Sequence, residues 1–312
     1  MTTGVVIGKF LPPHRGHKHL IDTAAAAVDH LTVLLCVRPD QPIDGATRAR
    51  WLAEIHPDVD VVVVDDDIPD ESAPWARRTA EVLGRAPDVV FSSESYGPRY
   101  AACLGARHVS VDPDRRRYPV SGTAVRADPA AHWAWLEPCV RAHYVRRVCV
   151  LGAESTGTTT LARALAERLD TIWVPEYGRR YCEDRAGGPW SSTEFVEIAR
   201  RQQADEDAAA RQSGPVLVCD TDALATAVWH ERYLGRGSTV VDALAAARTY
   251  SLYVLTADDI PFVQDGTRDG EHLRRWMTER FRRRLAARPD PWIEVGGDHE
   301  HRLAAVLSAL PA

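Results

Sequence analysis

Long apolar runs are missing from this 312-residue chain. None approaches the roughly 18 residues that a membrane-spanning helix needs. The opening segment, MTTGVVIGKF, lacks the basic start, apolar middle and small-residue cleavage site of a signal peptide. Six cysteines (Cys36, Cys103, Cys139, Cys149, Cys182 and Cys219) include no C-x-x-C pair and no paired spacing. Their scatter excludes a zinc ribbon and a disulfide framework, and it points to reduced thiols in a cytoplasmic protein. Lysine is nearly absent, with only Lys9 and Lys18, so almost every basic residue is arginine. With abundant alanine and aspartate, this bias reads as a compositional preference of the genome. Net charge is −6 without a strong basic block, which argues against nucleic acid as a partner. The arginine triplets at 115–117 and 282–284 read as solvated faces.

What remains is a globular composition long enough for two domains, each with its own core. TGVVIGKF reads as a strand, LPPHRG as a loop and HKHLIDTAAAAVD as a helix. LTVLLCV, VDVVVVD, PDVVFSSE and RHVSVD follow as strands, with helices RARWLAEIH and SAPWARRTAEVLG among them. This alternation predicts an α/β domain with a parallel sheet. After the helical stretch AHWAWLEPCVRAHY the pattern starts again. RRVCVLGAESTG is a strand entering a Gly-bearing loop, and TTTLARALAERL opens a helix. PVLVCD, SLYVLT and PWIEV are later strands, before a final helix. Two α/β domains are therefore expected, 1–145 and 146–312, both with parallel sheets. No short-period repeat or low-complexity segment is visible.

GKFLPPHRGH sets Gly8 at a strand end, with Lys9 and Phe10 after it. Gly16 stands where backbone must approach a ligand closely, and His14 and His17 are three residues apart. A loop between a strand end and a helix N-terminus suits phosphate. Two imidazoles there can donate hydrogen bonds to oxygens that gain charge as pyrophosphate departs. Ser121, Gly122 and Thr123 enter a second helix that carries Arg126. These residues could be helix caps and nothing more, or a clamp for β- and γ-phosphates.

GAESTGTTT has the frame of a phosphate-binding P-loop, with Gly152, Glu154, Ser155, Thr156, Gly157, Thr158, Thr159 and Thr160. Thr158 stands where the pattern has lysine, so the cation that follows the β- and γ-phosphates is gone. Thr159 keeps the hydroxyl that reaches Mg²⁺. Asp220 and Asp222, at the end of VLVCDTD, suit Mg²⁺ and a hydroxyl proton, or serve as strand-end caps. Glu176, Tyr177 and Arg179 in VPEYGRRY offer a carboxylate, an aromatic face and a guanidinium, or buried packing. DIPFVQDGTRD carries Arg268 as a lid residue, or is an exposed loop.

Taken in order, these motifs resemble the NadR-type bifunctional family. The first half resembles its HxGH nicotinamide mononucleotide adenylyltransferase domain, which is Rossmann-like. The second resembles its P-loop ribosylnicotinamide kinase domain. The resemblance implies NAD synthesis and salvage: ATP and nicotinamide mononucleotide give NAD and pyrophosphate, with Mg²⁺. It also implies ATP-dependent phosphorylation of nicotinamide riboside. Gly8, Phe10, His14, His17, Ser121 and Arg126 would hold ATP in the first domain. Trp51 and the segment from Arg38 to Arg48 would lie near the nicotinamide nucleotide. Trp229 and Tyr233 become candidates for stacking on the base of the riboside. Arg179, Arg180 or Arg268 could supply the missing cation. The alternative is an adenylyltransferase fused to a kinase-derived nucleotide-binding module without phosphotransfer. The helix-turn-helix that makes some family members repressors is not expected here, since the first strand begins almost at Met1. Partners are thus small molecules, with neither nucleic acid nor membrane, and a homo-oligomer stays open.

Overall fold

TGVVIG and HLTVLLCV are apolar at consecutive rather than alternate positions, as strands covered on both faces require. In a computed structural model, which describes residues 1–264 and 270–310, they form β1 (Thr3–Gly8) and β2 (His30–Val37), joined by α1 (Arg15–Ala25). The chain divides into two compact units, Met1–His143 and Tyr144–Ala312. Among the described residues no helix is long and apolar enough to cross a membrane.

The first unit continues through α2 (Gly45–Ile55), β3 (Asp60–Asp65), α3 (Ser72–Leu83), β4 (Val89–Ser92), α4 (Gly97–Leu104), β5 (Arg107–Ser110), α5 (Gly122–Ala127) and α6 (Pro138–Tyr144). Its sheet has the order β3-β2-β1-β4-β5, and every pairing is parallel. The chain winds outward from β1 to one edge and returns to build the other side from β4. A crevice therefore opens where β1 and β4 end. The stretch AHWAWLEPCVRAHY is not one helix. A 3₁₀ turn at Trp133–Trp135 stops at Leu136, and Pro138 opens α6 as its first residue, where a missing N–H costs nothing.

The second unit repeats the plan with β6 (Arg146–Gly152), α7 (Thr158–Arg168), β7 (Trp173–Val174), α8 (Tyr177–Asp184), α9 (Ser192–Ala210), β8 (Val216–Asp220), α10 (Ala223–Leu234), α11 (Thr239–Ala246), β9 (Leu252–Thr256), α12 (Arg274–Ala286), β10 (Trp292–Val295) and α13 (His299–Ala309). Its order is β10-β9-β6-β8-β7, again all parallel. Val148, Val150, Val218, Leu252 and Val254 of the central strands pack with Leu161 and Leu165 of α7. Both units are thus α/β domains with all-parallel sheets.

One buried charge ties the first crevice together. Arg48, 0% exposed on α2, donates to the carbonyls of Lys9 (2.5 Å), Ile43 (3.0 Å) and Cys36 (3.2 Å), and also to Gln41 Oε1. It couples the loop after β1 to the end of β2. Replacement by methionine keeps most of the volume but leaves these carbonyls without a donor. We expect Arg48→Met to destabilise the first unit by about 3 kcal/mol, read as a lowered urea midpoint for that unit.

Candidate functional site

The first unit carries a cleft of about 500 Å³ at the carboxyl ends of β1 and β4. Gly8, Lys9, Phe10, His14, Gly16, His17, Ser121, Gly122, Thr123 and Arg126 all line it, so two motifs over a hundred residues apart converge. His14 caps α1, and its Nδ1 accepts from the backbone N–H of His17 at 3.4 Å. In the neutral ring the proton is then on Nε2. The two imidazoles stack with centroids 3.7 Å apart, and Phe10 meets His17 edge-on at 5.0 Å. A side chain at Gly16 would crowd the His14 ring at 3.1 Å. Ser121 Oγ caps α5 by accepting from the Ala124 N–H at 3.1 Å. Arg126 donates to the Leu11 carbonyl and, at 3.3 Å, to Thr123 Oγ1, which ties the α5 turn to the histidine loop.

Burial controls the charge here. It holds the His14 imidazole down to about 4, with the nearby Arg115 guanidinium adding to the shift. His17 is held well below the ordinary range by burial, then by His14 and Arg115. Both rings are neutral N–H donors at pH 7. Arg115, in a triplet that the sequence presents as a solvated face, instead lines the cleft and pairs with Glu94 at 2.9 Å. Its loop is shaped by Asp112, whose carboxylate accepts the backbone N–H groups of Arg116, Arg117 and Tyr118. Nothing in the sequence signals this folding-back of the loop.

Trp51 is not brought to the cleft. It is 7% exposed and packs edge-on against His143, with centroids 5.2 Å apart. Arg48 in the Arg38 to Arg48 segment is likewise occupied by the carbonyls described above. The tryptophan that does line the cleft is Trp75, in the first turn of α3, with Asp66, Asp70 and Glu71 beside it. Asp66 pairs with Lys9 at 3.3 Å. Sequence reading missed Trp75 because SAPWARR reads as about two turns of an ordinary amphipathic helix.

The second unit has a cleft of about 460 Å³ around the loop between β6 and α7. Gly152 admits no side chain, since a Cβ would lie 2.1 Å from Thr256 Oγ1. Gly157 takes the left-handed conformation (φ +85) that turns the loop into the helix. Arg302 donates to the Thr156 carbonyl at 2.6 Å, and Arg274 to the Ser155 carbonyl at 3.4 Å, so the loop is held from two sides. Gly152, Glu154, Ser155, Gly157, Thr158, Thr159 and Thr160 line the cleft. Thr156 does not, since its hydroxyl, 1% exposed, faces Ala153 O and Thr256. Glu154 is paired with Arg232 at 3.0 Å and accepts from the Gly270 N–H at 2.8 Å.

The two aspartates part company. Asp220 Oδ2 accepts from Thr159 Oγ1 at 2.6 Å, while Oδ1 is buried with no partner. Burial pushes its carboxyl up to about 6, against the pull of the Thr159 hydroxyl and of Arg179. Asp222, 1% exposed, caps α10 by accepting from the Ala225 N–H at 3.0 Å, and accepts from the Tyr253 hydroxyl at 2.8 Å. It does not reach the cleft, because Thr221 in the left-handed region (φ 73) redirects the chain between them. Glu176, Arg179 and Trp229 line the cleft with Tyr233. Tyr177 packs on Tyr181 and under Arg201 instead, and Arg180 is exposed outside it. Arg268 lies outside the described residues. Trp190 and Phe195, which no motif marked, complete an aromatic wall. Trp190 lies 4.9 Å from Phe195 and 5.1 Å from Tyr233. No cluster of three or more His, Cys, Asp or Glu suited to a metal occurs among the described residues. The unpartnered Asp220 Oδ1 beside the Thr159 hydroxyl is the place where a divalent cation fits, if phosphate and water complete its shell.

Comparison with known proteins agrees with this division. A cytidylyltransferase-like family model matches residues 5–128 and an AAA domain model matches residues 147–302. The trifunctional NAD biosynthesis/regulator protein NadR of Escherichia coli (strain K12) is 30% identical over 295 residues, covering 86% of this chain and 72% of that protein. Its counterpart in Salmonella typhimurium (strain LT2) is 29% identical over 292 residues, covering 85% and 71%. Two crystal structures share the fold at 21% identity. A NadR protein in complex with NR has a TM-score of 0.82, covering 100% of this chain and 96% of that one. A NadR protein with NAD and AMP-PNP has a TM-score of 0.79, covering 100% and 97%.

Because burial keeps His14 and His17 neutral, their imidazole signals are expected to show no protonation between pH 8 and about 5. The lowered His14 group takes its proton only near pH 4. An NMR titration with signals assigned through His14→Asn and His17→Asn checks this, and an ordinary histidine midpoint for either ring would contradict it. In the other unit, Asp222→Asn is expected to lower the unfolding midpoint more than Asp220→Asn does, since only Asp222 holds a helix cap and a buried tyrosine.

Proposed function

The chain belongs to the NadR family, and on that premise we propose that its first unit transfers the adenylyl group of ATP to nicotinamide mononucleotide while its second phosphorylates nicotinamide riboside. The observation that carries this reading is the convergence of His14, His17, Ser121 and Arg126 on one cleft. An oxygen of the mononucleotide phosphate attacks the α-phosphorus in line. The bond between that phosphorus and the β-bridging oxygen breaks, so NAD forms and pyrophosphate departs. No protein nucleophile is required, only alignment and neutralisation of charge. His14 and His17 are neutral donors to oxygens that gain charge, so they need lose no proton. Arg126, with Ser121 and Thr123, clamps the leaving phosphates, and Arg115 adds a second guanidinium. Trp75 gives a flat face for the pyridinium ring. The adjacent Asp66, Asp70 and Glu71 suit a cationic amide and disfavour the carboxylate of a nicotinate.

In the second unit the glycine-bearing loop takes the phosphates of ATP and the wall of Trp190, Trp229 and Tyr233 takes the base of the riboside. Mg²⁺ would be held by Asp220 and the Thr159 hydroxyl, and when bound it neutralises charge on the β- and γ-phosphates. Asp220 is buried behind Thr159 and serves that site. Glu176, which also lines the cleft, accepts the proton of the 5′-hydroxyl in this reading. Thr158 favours the second reading, a unit that binds nucleotide without transferring phosphate.

Incubation with ATP, Mg²⁺ and either nicotinamide riboside or its mononucleotide, with products resolved by chromatography, separates the two readings. NAD is expected from both substrates. NAD from the mononucleotide alone would assign the second unit to binding, and NAD from neither would refute the proposal. His17→Ala is expected to lower kcat for adenylyl transfer by about 100-fold, and Trp75→Ala to raise KM for the mononucleotide by about tenfold.

A further inference from the structure

The phosphate loop of the second unit lacks the cation that its frame calls for, and the walls beside it are acidic. Glu176, Glu183 and Asp220 line the cleft together with Glu154, which is already paired to Arg232. A triphosphate entering such a cleft meets like charge at short range, between walls that screen poorly. Among the described residues that line the cleft, the cations are Arg163 and Arg179.

Arg163 follows Thr159 by four residues on α7, so the two side chains share one face of the helix. The Thr159 hydroxyl on that face donates to Asp220 at 2.6 Å. The same face therefore carries a guanidinium one turn beyond the loop. That guanidinium sits over the Trp173 ring, with Cζ 4.8 Å from the centroid. The contact narrows its rotamers and leaves the charge available, since an aromatic face does not neutralise a cation. Among the described residues, Arg274 and Arg302 are engaged by carbonyls of the loop and Arg232 by its Glu154.

We infer that Arg163 supplies the positive charge absent at Thr158, acting on the γ-phosphoryl group as it passes from ATP to the acceptor. This rests on the kinase reading of the second unit. In that transfer the 5′-oxygen of the acceptor bonds to the γ-phosphorus, and the bond to the β–γ bridging oxygen breaks. ADP leaves with that electron pair, and the hydroxyl proton passes to Glu176. Charge on the equatorial oxygens peaks during transfer, so the guanidinium acts more on kcat than on KM.

The test uses the full chain with Arg163→Gln and Arg163→Lys. Adenylyl transfer to nicotinamide mononucleotide is measured alongside as a check on folding, and it is expected to stay unchanged. Arg163→Gln is expected to lower kcat for riboside phosphorylation by about 100-fold, with partial recovery in Arg163→Lys. Calorimetric titration with a β,γ-imido analogue of ATP is expected to show about a tenfold loss in one of two isotherms, the other serving as internal reference. Riboside phosphorylation within about twofold of the parent, with both isotherms unmoved, overturns the role of Arg163 and leaves the kinase reading standing. If the parent chain phosphorylates no riboside, the kinase reading falls and the isotherms decide alone. A loss in one of them keeps Arg163 as an anion-binding residue, and no change removes it.

Discussion

Both clefts depend on the capture of backbone carbonyls by guanidinium groups. A parallel sheet gathers its loops at the carboxyl edge, and these loops cannot satisfy their own polar groups by ladder pairing. In the first unit Arg48 takes the carbonyls of Lys9 and Cys36, and Arg126 takes that of Leu11. In the second unit Arg302 takes Thr156 and Arg274 takes Ser155. Each arginine holds a loop in the shape that its motif needs. The planar fork makes this work: one side chain reaches several carbonyls in fixed directions, as a lysine ammonium on a flexible stem does not.

Desolvation then sets the chemistry of what these loops carry. The stacked pair His14 and His17 is kept neutral because a buried imidazolium beside Arg115 is costly. Two neutral N–H groups facing one crevice are donors that need no deprotonation, which suits phosphate oxygens. At the other loop the same physics raises the Asp220 carboxyl, whose free oxygen is buried without a donor. A carboxylate in that condition favours a cation near it. Burial thus lowers the imidazoles of one unit and raises the carboxyl of the other.

Much of this is legible in the sequence. Gly8 and Gly152 end strands and Gly16 and Gly157 open helices, where a side chain would crowd a neighbour or strain the left-handed turn, and both loops are recognisable from that spacing. Trp75, Arg115, Trp190 and Phe195 were not legible, because an aromatic on an amphipathic helix or an arginine in a polar run has no local mark of its destination. Trp51 and Tyr177 are equally unmarked, and each packs outside its cleft. Asp222 parts from Asp220 because two aspartates spaced i, i+2 share a face only while the strand continues, and Thr221 ends it.

The sequence by itself determined two parallel α/β units, a glycine-bearing loop after the first strand of each, and the threonine at 158 where a P-loop has lysine. Those properties follow from local rules: apolar periodicity, the conformational freedom of glycine, and the donors a short segment can offer. The tertiary structure alone decided which arginines are locked into backbone and which face a cleft, which tryptophan lines a site, and which of two aspartates keeps a free oxygen. These depend on how distant segments desolvate one another, and desolvation is a property of packing that no local spacing encodes.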